Sequence, residues 1–147
     1  MASSVPAFIA TFVEALTAPM AAVGAKAHDG PPLTDLELDY CSVGYSGDTG
    51  TAVDGRQAAV TLQNGRLDEY TVNCQIGTAN GDSDMHAARA RAFALFEVAA
   101  TVLTGDWTVD GTVTFAELDS YSLSMEQTTN AATAQIDFAV AVRITPL

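Results

Sequence analysis

From Phe8 to Leu16 the apolar positions recur at helical spacing: Phe8, Phe12, Ala15 and Leu16, with Ile9 and Val13 beside them. That stripe predicts a first helix. Ser3 or Ser4 can cap it and Pro6 suits its first turn. Pro19 is expected to end or kink the helix and Gly24 to close it, leaving "HDGPP" as a loop. The period then changes from helical to two. Leu36, Leu38 and Tyr40 alternate with Asp35, Glu37 and Asp39, which predicts a strand with one wet face. "DTGTAVDG" is rich in turn formers and is expected to be a polar loop. Alternation resumes in "QAAVTLQNGRLDEYTVNCQIG", where Tyr70, Val72, Cys74 and Ile76 share a face. Asn64-Gly65 between its two arms predicts a type I′ hairpin turn.

A second helix is expected from about Ser83 to Leu103, striped by Met85, Ala88, Ala92, Phe96, Ala99 and Leu103. Its many alanines would let it lie close to a sheet or to a neighbouring subunit. "TGDWTVDG" breaks it. Two more alternating runs follow, Tyr121, Leu123 and Met125 in the first and Ile136, Phe138, Val140, Val142 and Ile144 in the second, joined by "QTTNAAT". The expected order is α-β-β-β-α-β-β. Short connections make the sheet mostly antiparallel, with two main helices packed on it, an α+β fold in a single domain.

Composition narrows the possible chemistry. The 147 residues carry eighteen acids and six bases, a net charge of −12. So acidic a chain repels phosphate, which argues against gripping nucleic acid but suits a wall past which DNA slides. Asp35, Glu37 and Asp39 would line one strand face, either a solvated face or an acidic surface turned toward a lumen. Cys41 and Cys74 sit among apolar neighbours and read as buried free thiols. Without a secretory signal or an expected membrane span, the chain reads as a soluble protein made in a reducing cytoplasm.

Three local clusters invite a chemical reading. Asp82, Asp84 and His86 fall within five residues, but side chains two apart on a helix diverge, so helix capping explains them better than a metal or catalytic site. "DWTVDGTVTFAE", from Asp106 to Glu117, matches a calcium loop at Asp106, Asp110, Gly111 and Glu117. Thr108 stands where a carboxylate or amide is usual, and the segment after Glu117 reads as strand, so a turn between helix and strand competes with a calcium-binding module. Arg89 and Arg91 diverge on the second helix and are expected to pair with acids across an interface. The sequence contains no G-x-S-x-G, H-E-x-x-H, phosphate-binding loop or paired C-x-x-C. No enzymatic activity, cofactor or metal is expected.

Certain phrases resemble a known group. The early helix ending before "DGPP", "ELDYCSVGYSG", "DEYTVNCQIGTANGD", "MHAARARAFALFEVAATVL", "GTVTFAELDSYSL" and "QTTNAATAQIDFAV" together are similar to the tail terminator proteins of long-tailed, siphovirus-type phages of actinobacteria. The resemblance spans most of the chain. It implies a virion structural protein that forms a homo-hexameric ring at the head–tail junction. Such a ring ends the tail tube, docks to the head connector or stopper protein, and lets genome DNA pass without sequence-specific binding. It implies no catalytic residues and no membrane. Another neck or tail-tube ring subunit would share these features. On this reading Asp35, Glu37, Asp39, Asp68 and Glu69 are the candidate lumen or interface residues. The calcium-like loop is a feature the family does not explain.

Overall fold

In the computed structural model, which describes residues 3–31, 39–45, 51–60 and 65–144, the chain order is α1 (Val5–Ala22), β1 (Lys26–Asp29), β2 (Tyr40–Val43), β3 (Val53–Val60), β4 (Gly65–Asn80), α2 (Met85–Gly105), β5 (Phe115–Gln127) and β6 (Ala132–Ile144). The α+β fold, the mostly antiparallel sheet and the two helices are as the patterning predicts. Two boundaries differ.

First, β1 stands just after the expected helix end at Gly24 and runs into the expected "HDGPP" loop, so the order gains a strand. Its Lys-Ala-His-Asp run has no alternating apolar signal, and it is held by parallel pairing of Lys26–Asp29 with Tyr40–Val43. Second, β3 begins at Val53, inside the expected polar loop, and its ladder pairs Val53 with Val72 and Val60 with Gly65. Gly65 is therefore a strand residue and not part of a turn; Asn64 lies outside the described residues. Pro19 does not end α1, which continues to Ala22, just before the Gly24 expected to close it. The missing N–H costs one bond near the helix end, while Met20 beyond it is completely buried.

One edge of β4 serves two partners in succession. Residues 65–72 pair with β3, and Cys74–Gly77 pair with β2. Its other edge pairs along its length with β6, and β6 pairs with β5. The path is β1-β2-β4-β6-β5, with β3 beside β2 on β4. Asn73 closes the joint. Its carbonyl accepts from Gly44 and Tyr45, its N–H donates to Ala52, and its Nδ2 donates to the Thr51 carbonyl.

Both helices lie on one face of this sheet. Phe8, Phe12, Leu16 and Met20 of α1 and Ala88, Ala92, Leu95, Phe96, Ala99 and Leu103 of α2 meet Val72, Cys74, Ile76, Ile136, Phe138 and Val140. Burying one large side chain of this kind contributes about 1.5–3 kcal/mol. Aromatic edges lock the layers: Phe8 meets Tyr70 at 6.1 Å and Phe96 meets Phe138 at 5.4 Å, both T-shaped. Asp84 caps α2 by accepting from the Ala87 N–H.

The expectation that no run could span a membrane needs correction. By length and composition α1 qualifies, with a mean hydropathy of 1.5 over 18 residues. Its four largest inward side chains are in the core, and its outward residues include Ala7, Ala10, Glu14, Ala15, Thr17 and Ala18.

Candidate interaction face

Strand alternation puts a second set of side chains on the face away from the helices. Register aligns Tyr40 and Ser42 of β2 with Gly77 and Gln75 of β4, Gln75 with Asp137 of β6, and Asp137 with Ser122 of β5. The result is a polar row across the sheet. Tyr40 Oη donates to Gln75 Oε1 at 2.7 Å, Gln75 Nε2 donates to Asp137 Oδ1 at 3.1 Å, and Gln135 Nε2 donates to Asp137 Oδ2 at 3.4 Å. The Tyr40 ring lies across Gly77, where any Cβ would collide with it. Burial raises the Tyr40 hydroxyl pKa, with smaller contributions from Tyr45 and Asp137. Gln75 is buried within the row, and Ser42 Oγ is buried without a hydrogen-bond partner.

Over the first half of β4 this face opens into a shallow groove of about 710 Å³. Thr71, Asn73 and Ala141 are among its floor residues, with Phe115 and Glu117 on the β5 side. Arg56 of β3 and Arg143 of β6 converge on Glu69, each at 3.1 Å. Both arginines are largely solvent-exposed, so this charge cluster is worth little as stability and serves mainly to fix side-chain positions.

The proposed lumen or interface residues do not share one surface. Asp35 and Glu37 lie outside the described residues. Asp39 accepts from Arg91 Nη2 at 3.1 Å, and its other oxygen accepts from Thr78 Oγ1. Arg91 also donates to the Val23 carbonyl. Asp39 and Arg91 thus join the start of β2 to α2 within one chain. Asp68 is buried on the helix side, where Ser3 Oγ donates to it at 3.3 Å. Glu69, one residue on, points to the opposite face and holds the arginine pair.

The other sequence clusters separate as well. Asp82 precedes α2 in a turn, so Asp82 and His86 are not one helical turn apart on a single helix; Asp84 alone caps. Asp106 folds its carboxylate back on its own loop. Oδ1 accepts from Thr108 N–H and Oγ1, and Oδ2 accepts from Asp110 N–H at 2.9 Å. These bonds, led by that from the Thr108 hydroxyl, lower its pKa. Glu117 is on β5 in the groove wall. The loop therefore does not gather its acids as calcium requires, and among the described residues no group of three or more His, Cys, Asp or Glu side chains is placed to hold a metal. Both cysteines are buried free thiols, and burial pushes Cys74 up to about 12.

Sequence reasoning missed the Arg56–Glu69–Arg143 cluster and the Tyr40–Gln75–Asp137 row. Both depend on cross-strand register, and Arg56 fell in a segment whose strand was not recognised until Gln57.

No family model matches this chain, and no curated protein matches it. Among solved structures it is similar to a chain from the virion of a native gene transfer agent particle, with 14% identity and a TM-score of 0.48 over 92% of this chain and 91% of that one. A likeness of this size carries no functional argument.

Proposed function

We propose that the chain is a virion structural protein, a tail terminator that forms a ring, ends the tail tube and presents a docking face to the head connector. The observation that carries this reading is where the resembling phrases fall. "GTVTFAELDSYSL" and "QTTNAATAQIDFAV" lie in the segment leading into β5 and in the β5–β6 hairpin, which supplies an inner strand and one outer strand of the sheet. A sheet covered by helices on one face leaves its other face and its outer strands for contacts between copies, and a closed ring needs two different contact surfaces on each copy. The net charge of −12 suits a wall that DNA passes without adhering. The proposal assigns the chain no catalytic step and no cofactor.

The test is to label the chain in purified particles and image them by negative stain, alongside the native mass of the isolated protein. The expected result is six copies at the head-proximal end of the tail. Copies distributed along the tail would favour a tail-tube subunit instead, and absence from particles would end the virion reading.

A further inference from the structure

We infer that the outer edge of β5, from Ser120 to Gln127, accepts a strand from a second copy of this chain, supplied by the outer edge of β3. The inference rests on the ring reading and gives that ring its contact.

Among the described residues, β5 pairs with β6 alone and β3 pairs with β4 alone, so the sheet ends in different strands on its two sides. Register settles which backbone groups of β5 face outward. Asn73 N–H points away from β6, so alternate residues of β4 and β6, Cys74 and Phe138 among them, face each other. Ala139, Asp137 and Gln135 then face Ser120, Ser122 and Ser124 of β5. Tyr121, Leu123 and Met125 are left with N–H and C=O groups directed away from the sheet. At the start of the strand the outward N–H of Ala116 is already used, donating to the Trp107 carbonyl at 2.8 Å. The irregularity between Leu118 and Ser120 separates this capped start from the open remainder.

The open remainder lacks the usual guards of a free edge. Between Asp119 and Glu126 the side chains are Ser120, Tyr121, Ser122, Leu123, Ser124 and Met125, with no charge and no proline. Three of the large hydrophobic side chains left exposed, Trp107, Phe115 and Tyr121, lie on β5 or beside it. Tyr121 is 60% exposed yet held in place, edge-on to Phe93 at 6.0 Å and tilted on Phe96 at 5.3 Å.

Charge selects a second copy as the occupant. Two chains of −12 can approach closely only through uncharged or locally balanced segments. The β5 edge carries no charge between Asp119 and Glu126, and on β3 Asp54 and Arg56 oppose each other in sign. The open part of β5 is also about as long as β3. Because the two edges differ, each copy can give β3 and receive on β5, the head-to-tail arrangement that closes into rings.

The experiment uses the full chain and a Ser122→Lys/Ser124→Lys variant, both side chains being exposed. Native mass and backbone hydrogen exchange are read for each. The wild type is expected to be a multimer whose Tyr121, Leu123 and Met125 amides exchange at least about tenfold more slowly than in a monomeric variant of unchanged thermal midpoint. A Ser124→Glu variant should disrupt the multimer likewise; disruption by Glu but not by Lys would mean general repulsion and would overturn the inference. So would a lysine variant of wild-type mass, or wild-type β5 amides exchanging at the monomer's rate. Six copies at the tail end with freely exchanging β5 amides would leave the ring standing without this contact. A wild type that stays monomeric even with isolated tails would remove both.

Discussion

At the scale of single residues, the tightest fit is Gly77 beneath Tyr40. Gly77→Ala would drive a methyl into the ring and disturb the Tyr40–Gln75 bond. The expected loss is about 1–3 kcal/mol, read by urea unfolding. Cys74 makes a different statement, about pH. Burial favours its neutral thiol and raises its pKa from 9.0 to about 12. The unfolded chain therefore loses that proton at lower pH than the folded chain does. The stability this burial secures is present below pH 9.0 and is lost as pH rises toward about 12. Tyr70, raised from 10.0 to about 12 chiefly by burial, adds to the same alkaline loss. Denaturant midpoints measured across that window should fall, and fall less steeply in Cys74→Val. In the native protein at neutral pH both thiols should resist alkylation that goes to completion in denaturant.

At the scale of elements, α2 depends on its cap and α1 on its stripe. Asp84→Ala removes the acceptor for Ala87 and should cost about 1 kcal/mol in thermal or chemical unfolding. Phe12→Ala empties a completely buried site stacked on Phe8 and should cost about 3–5 kcal/mol in the same measurement. These two helices, β6 and the inward face of β4 were legible because long apolar periodicity survives whatever surrounds it. β1 was not, since four residues held by parallel pairing carry no period of their own. The start of β3 was hidden for a related reason: Asp54 and Gly55 look like turn formers, and only the ladder with Thr71 and Tyr70 makes them strand. The candidate site was less legible than the fold. Spacing along the chain placed Asp68 and Glu69 together, but the pleat turns one inward and the other outward, and the partners of Glu69 come from strands 13 and 74 positions away.

At the scale of the whole molecule, the uneven charge has a measurable effect. With eighteen acids against six bases, repulsion among the acids outweighs the ion pairs that Arg56, Arg91 and Arg143 make. Raising the salt to physiological strength shortens the screening length to about 8 Å, so the thermal midpoint should rise with salt before levelling off.

Chain order imposes one more condition. β6 follows every other described strand in sequence, yet it lies between β4 and β5, and Asp68 must wait for Ile144. A nascent chain that ends at β5 therefore has both helices and β4 in hand but leaves one whole edge of β4 without its partner. A chain halted just before Ala132 is expected to display that bare edge and to aggregate more readily than one that has completed β6, as read by its soluble fraction on refolding.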